Sequence, residues 1–277
     1  MPTRPARRLL GLLLVLPALA VILLLFVVPL ATSIVGAFRV ADGYGFGNFA
    51  KSAEFYMSDI VFTIVIVALS TAIIGILSIA IGGYLVLGEN PRAVAILRWL
   101  YRWPLFIPFI VVGQILRTFL AKNGLMNNVL IEVGLITPLQ AVSFLDWRGI
   151  VIAFVWKQTP FVALLVSGAM ASVDRSTVEA ARNLGASRPR ILVEIIVPQV
   201  ATTLIVGLVL SFVTMMSVLS VPLMINAQSP TMITADIAFR INAYGDYGVA
   251  NALGLISLVA SACVGWFYLR QTLRERS

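Results

Sequence analysis

Six apolar runs, each at least about as long as the ~20 residues a helix needs to cross a bilayer, divide this chain at residues 9–38, 60–87, 99–120, 149–171, 200–223 and 249–269. Hydrophobic residues make up 60% of the 277 and mean hydropathy is +0.99. Charged residues are only 12%, about half the share of a soluble domain. The runs therefore read as six transmembrane helices of an all-α polytopic membrane protein. Arg4, Arg7 and Arg8 precede the first run, as in a secretory signal, but that run is about twice an ordinary signal core. It is expected to be an uncleaved anchor, with kinks at Pro17 and Pro29. Residues 1–8 then form a short tail, and residues 9–277 a single transmembrane domain.

Between the runs, residues 39–58 are expected to be a first outside loop carrying Asp42, Lys51 and Glu54. Gly88–Arg98 reads as a turn. Trp99, Tyr101 and Trp103 form an aromatic group at the start of the third span, and Lys122–Arg148 is a second outside loop with room for a partly embedded helix. A polar stretch with Asp236, Arg240 and Asp246 precedes the last span. In the second span, Gly75, Ser78, Gly82 and Gly83 suit close helix packing.

Charge sets the orientation. With the N-terminus inside, the inner segments hold thirteen of the twenty basic residues, Arg92, Arg98, Arg102, Arg175, Arg182, Arg188, Arg190, Arg270, Arg274 and Arg276 joining the three of the tail. Only Glu89, Asp174, Glu179, Glu194 and Glu275 stand against them. The whole net charge of +8 thus lies inside, and both termini are expected in the cytoplasm. Its dispersal, without a basic and aromatic tract, argues against nucleic acid.

Several chemistries are poorly served. The chain has no His and one Cys, Cys263 in an apolar run, so an intramolecular disulfide is impossible and a metal centre or His-dependent hydrolase improbable. Lys51, Lys122 and Lys157 lie outside any G-K-[ST] phosphate loop. An ion-coupled secondary transporter, a rival of a different class, calls for an intramembrane carboxylate or matched broken helices. No Asp or Glu falls in the middle of a span as drawn.

Polar groups at membrane depth mark a candidate path. Gln114 and Arg117 share a face of the third span; Lys157 and Gln158 cluster with Thr159 on the fourth; Ser217 and Ser220, with Asn226 beyond them, sit at the end of the fifth. A mid-bilayer charge costs about 2.5–3.5 kcal/mol on insertion scales, which turns it toward a cavity or partner. Arg117 and Lys157 have snorkelling as the alternative, and the serines have a bond to their own backbone.

The longest polar interruption is 174–198, DRSTVEAARNLGASRPRILVEIIVP. Ser176 and Glu179 have capping-box spacing, Ala180 and Ala181 favour helix, and Gly185 supplies a stop. A second helix follows Pro189 and runs from Ile191 to Ile196, before Pro198. Glu179-Ala180-Ala181, Gly185, Ile195 and Pro198 together resemble the EAA loop of permease subunits of binding-protein-dependent ABC importers. The phrases Asn123–Asn127 and WKQTPF at 156–161 are similar to that family as well.

The resemblance implies a six-span, type I (MetI-like) permease of the bacterial inner membrane, with both termini and the loop cytoplasmic. It implies no cofactor in this chain, ATP and Mg being held by a partner ATPase. The implied partners are that ATPase, a second similar or identical permease, an extracytoplasmic solute-binding protein and membrane lipid. In the loop, Glu179 would face a basic residue of the ATPase, Ala180 and Ala181 would allow close approach, and Gly185 would make the turn. Leu184, in Leu-Gly-Ala-Ser, tilts the resemblance toward the polyamine, iron and phosphonate branches, with a polyamine-like solute first and sugar or thiosulfate also open.

Overall fold

The computed structural model describes residues 15–41, 43–226 and 228–274. The tail with Arg4, Arg7 and Arg8, the first residues of span one, Asp42, Glu275 and Arg276 lie outside them. Among the described residues five helices are long and apolar enough to cross a membrane: α1 (Val15–Phe38), α2 (Gly47–Leu87), α6 (Trp147–Ala171), α8 (Arg188–Met216) and α11 (Tyr247–Arg274, its span reaching Trp266). A bent pair passes the same test of length and apolar character when its two limbs are taken together, and counted as one span it makes six. Its first limb is α3 (Pro91–Leu100) with a tight turn at Trp103–Phe106, and its second is α4 (Phe109–Leu120) with α5 (Leu125–Glu132); the limbs meet at 107°. Shorter helices are α7 (Arg175–Asn183), α9 (Ser220–Ile225) and α10 (Ile233–Phe239). A two-stranded hairpin, β1 (Arg39–Val40) and β2 (Gly43–Tyr44), pairs Arg39 with Tyr44.

The described residues form two compact units, one holding those up to Met57 with Asp236–Leu258, the other Ser58–Ala235 with those from Val259. In the first, Asn48 donates to the carbonyls of Ala37 and Arg39, and Arg240 bonds the Tyr56 hydroxyl. In the second, Phe154, Val162 and Met170 of α6 meet Ile196 and Met215 of α8, Ile74 of α2, Val112 of α4 and Val221 of α9. Lipid offers no hydrophobic drive between helices, so close packing must do the work. A methyl group on Gly82 would come within 2.9 Å of the Met170 sulfur, and one on Gly83 within 2.5 Å of Leu192.

The structure corrects several expected boundaries. Residues 47–58 are the first turns of α2 instead of loop. Asn48, Ser52, Tyr56, Asp59 and Thr63 form a buried stripe at helical spacing, and their polarity imitates a loop in a hydropathy reading. Gly88–Arg98 is mostly helix, because Asn90 accepts from the N–H groups of Arg92 and Ala93 and Pro91 suits a first turn. The third span bends where Pro104 and Pro108 interrupt the ladder. The fifth stops at Met216 and resumes as α9.

Pro198 does not end a helix. A wide, π-helical turn at Leu192–Ile196 comes just before it, and another at Leu23–Val27 comes just before Pro29. A proline ring presses on the carbonyl four residues back. In both places that carbonyl, of Glu194 or Leu25, belongs to the wide turn, which lets the helix continue.

Asp59, only 2% exposed, lies well inside α2. Its Oδ1 accepts the Thr231 N–H at 3.0 Å and the Ser229 hydroxyl at 3.1 Å, pinning the chain after α9. Asp59→Ala leaves that buried N–H without a partner, at about 1–3 kcal/mol. Equilibrium unfolding in detergent micelles should show a loss of that size, with Asp59→Asn losing less.

Candidate functional site

Between α6 and α8 the chain leaves the apolar core for α7, whose two ends are both fixed by short-range bonds. At the start, Asp174 is the N-cap: its Oδ1 accepts the Ser176 N–H at 2.9 Å and its Oδ2 the Ser176 hydroxyl at 2.7 Å. The expected Ser176 and Glu179 capping box is therefore replaced, since the Ser176 hydroxyl is spent as a donor to Asp174. Those two bonds, the hydroxyl's first, hold the Asp174 carboxyl below the usual carboxylate range. At the other end the Ala186 N–H reaches the Ala181 carbonyl at 3.0 Å and the Gly185 N–H the Arg182 carbonyl at 2.9 Å. Gly185 stands between at φ +82°. This is a Schellman closure, and it uses the one residue type free of strain at that angle.

The two faces of α7 differ. Arg175, Val178, Glu179 and Arg182, spaced i, i+3, i+4 and i+7, border a cavity of about 320 Å³ floored by Leu85, Leu87 and Met170. Thr177, Ala180 and Leu184 share the opposite face. All three are exposed, Leu184 to 89%. Val178 and Ala181 touch the core beneath. Glu179 is exposed on the cavity rim, Ala180 faces outward and Ala181 is half-buried.

The second helix of the loop, α8, opens at Arg188, which pairs with Glu89. It continues through half-buried Ile195 and exposed Pro198 directly into the membrane span. No separate helix ends before Pro198. The Gln199 amide donates to the Ile195 carbonyl beside the proline, at 2.9 Å.

The six candidate path residues do not come together as one site. Gln114 and Arg117 share the exposed face of α4, and Ser220 is half-buried. Ser217 is exposed, but its hydroxyl bonds the Thr214 carbonyl, its own backbone. Gln158 is buried at 7% exposure. Lys157 is buried at 9% exposure, with its ammonium turned to backbone of the same chain. Its Nζ donates to the carbonyls of Pro104 and Leu105, both at 2.9 Å, and lies 5.6 Å from the Phe109 ring centre. Those carbonyls stand where the α3–α4 bend breaks the ladder; the Ile107 N–H reaches the Pro104 carbonyl at 3.2 Å, and the ammonium supplies a second donor there and the donor that Leu105 lacks. Asn127 does similar work in the following loop, its amide within 3.2 Å of the Ala121, Lys122 and Val142 carbonyls.

Comparison with known proteins agrees with the family resemblance. A family model described as "Binding-protein-dependent transport system inner membrane component" matches residues 75–276. The trehalose/maltose transport system permease protein MalF of Thermococcus litoralis is 29% identical, over 94% of this chain and 92% of that protein. The sulfoquinovosyl glycerol transport system permease protein SmoG of Agrobacterium fabrum is 26% identical, over 95% and 90%. Salmonella typhimurium permease proteins named for 2-aminoethylphosphonate, sulfate and spermidine/putrescine transport are 26–27% identical, the last over 68% of each chain. A chain of a bacterial alginate ABC transporter, crystallised with an alginate pentasaccharide-bound periplasmic protein, superposes with TM-score 0.82 at 22% identity, over 97% of this chain and 96% of that one.

Two outcomes follow for α7. Gly185→Val should strain the closure by about 1–2 kcal/mol, read as faster exchange of the Gly185 and Ala186 amides with α6 unchanged. Because the folded Asp174 value is depressed, its cap is fully present above the ordinary carboxylate value and is lost as pH falls through the lowered one. Exchange at Ser176 should therefore rise only in acid, and Asp174→Asn should remove that dependence.

Proposed function

The chain belongs to the family of binding-protein-dependent transport system inner membrane components, and from that premise we propose that it is the permease of an ATP-driven importer, moved by a separate ATPase that docks on α7. The observation that carries the reading is α7 itself. It is a nine-residue helix, locked at both ends, bearing a small outward face at Ala180 and a bare Leu184. A short helix held stiffly at both ends, with residues on its outer face small enough for close approach, suits a docked partner that pushes on it.

The proposed orientation puts both termini and α7 in the cytoplasm, where ATP is, following the basic excess. The ATPase binds ATP and Mg, and this chain needs neither. A second permease, similar or identical, completes the path, and an extracytoplasmic binding protein delivers the solute. When the ATPase closes on ATP, α7 shifts as a rigid body and carries the neighbouring ends of α6 and α8 with it. Glu179, Ala180, Ala181, Gly185, Ile195 and Pro198 are the proposed coupling residues.

For the solute we favour a saccharide over a polyamine. Arg117 puts a fixed positive charge beside Gln114 on the exposed face of α4, and in a path that charge opposes a polycation and tolerates a neutral or anionic solute. The sugar-named relatives align over 90% or more of both chains. Leu184, which favoured a polyamine, is a loop residue and does not touch solute on this reading.

Proteoliposomes holding the permease pair and ATPase, with binding protein outside, test both parts. Uptake should require internal ATP and fall at least tenfold with Leu184→Asp or Gly185→Val. Uptake driven by an ion gradient alone would overturn the importer reading. A panel of maltose, trehalose, 2-aminoethylphosphonate and spermidine addresses the solute; uptake of spermidine alone would overturn the saccharide preference.

A further inference from the structure

A second cavity lies farther along α2 from the one under α7. Ile73, Leu77 and Ile81 line this second cavity of about 460 Å³, almost wholly apolar, and Leu85, the next residue in that i+4 series, lines the cavity beneath α7. α6 borders both, through Val155 and Trp156 in the apolar trough and Met170 in the polar one. α3 contributes Leu100 to the first and Arg98 to the second. Ile73 to Leu85 spans about 18 Å at 1.5 Å per residue, close to the ~15 Å of one leaflet's hydrocarbon. An apolar trough and a charged mouth thus follow one another along α2, together of about leaflet depth.

Three guanidinium groups edge that mouth, Arg98 of α3 and Arg175 and Arg182 of α7, against the single carboxylate of Glu179. Among the described residues none of the three has a side-chain hydrogen bond or ion pair. Other arginines nearby are satisfied, Arg188 by Glu89 and Arg190 by Glu194. Unpaired positive charge over a hydrocarbon floor fits an amphiphile with an anionic head. We propose that the mouth and trough together seat one anionic phospholipid, its phosphate among Arg98, Arg175 and Arg182 and an acyl chain along Leu77 and Ile81. Such a lipid ties α7 to α3 through its phosphate. The proposal needs α7 to lie at a membrane surface, and it does not depend on the solute or on the ATPase.

Native mass spectrometry of the full-length chain released from detergent, with phosphatidylglycerol or phosphatidylcholine added, tests this. One phosphatidylglycerol should be retained and phosphatidylcholine should not. Arg98→Gln and Arg182→Gln should each weaken binding about fivefold, while Arg92→Gln, on the first turn of α3 and away from the mouth, should leave it unchanged. Ile81→Trp fills the trough but keeps the arginines, and should also weaken binding; a single size-exclusion peak for each variant certifies its fold. Equal retention of phosphatidylcholine, or arginine variants that bind like the parent, overturns the site. Full displacement by inorganic phosphate, with Ile81→Trp without effect, would make it a free-phosphate site and overturn the lipid. If the arginine variants lose a co-purifying ATPase while keeping phosphatidylglycerol, the arginines belong to that interface and the proposal falls.

Discussion

Hydrocarbon cannot hydrogen-bond a peptide group, so each interruption of a membrane helix must be covered by protein. This chain interrupts its helices repeatedly, and a side chain covers the backbone at three of the breaks. Lys157 covers Pro104 and Leu105 at the bend before α4. Thr234 donates to the Val218 carbonyl at the gap before α9, and the Ser217 hydroxyl bonds the Thr214 carbonyl beside it. Asp59 accepts the Thr231 N–H after α9. The breaks are thereby fixed bends. A bundle with fixed bends can move in pieces without unfolding.

That stiffness gives α7 its value. The links from α6 into α7 and from α7 into α8 are only a few residues each, and the Asp174 cap and the Gly185 closure remove most of their freedom. The wide turn before Pro198 keeps α8 continuous from loop to membrane. A push on the outer face of α7 therefore has no slack to be lost in. The Glu89–Arg188 pair adds the α2–α3 turn to the same assembly.

The sequence was most legible where the pattern was local. Gly185 at a left-handed angle, the dense glycines of α2 and the position of α7 all follow from spacing and residue type. It was least legible where a polar residue serves a distant backbone. Lys157 reads as a path or snorkelling charge because Pro104 and Leu105 are more than fifty positions away. Asp59 was missed for the same reason: its partners lie some 170 positions on, and its polar stripe on α2 looks like a loop. The capping box failed by a small margin, since Asp174 reaches the same turn two residues earlier. Pro29, expected to kink its helix, and Pro198, expected to follow the end of one, are both absorbed by wide turns that no periodicity announces.

The claim on which this rests is that side chains, and Lys157 above all, carry the broken backbone within the membrane. Lys157→Met keeps much of the length and the apolar stem of the residue and removes its charge and its donors. Reversible unfolding in lipid bicelles should show a loss of about 1–3 kcal/mol, the cost of leaving the Leu105 carbonyl without a donor, since the Pro104 carbonyl keeps the Ile107 N–H. An unchanged stability, with α4 protected from hydrogen exchange as in the parent, would contradict the account.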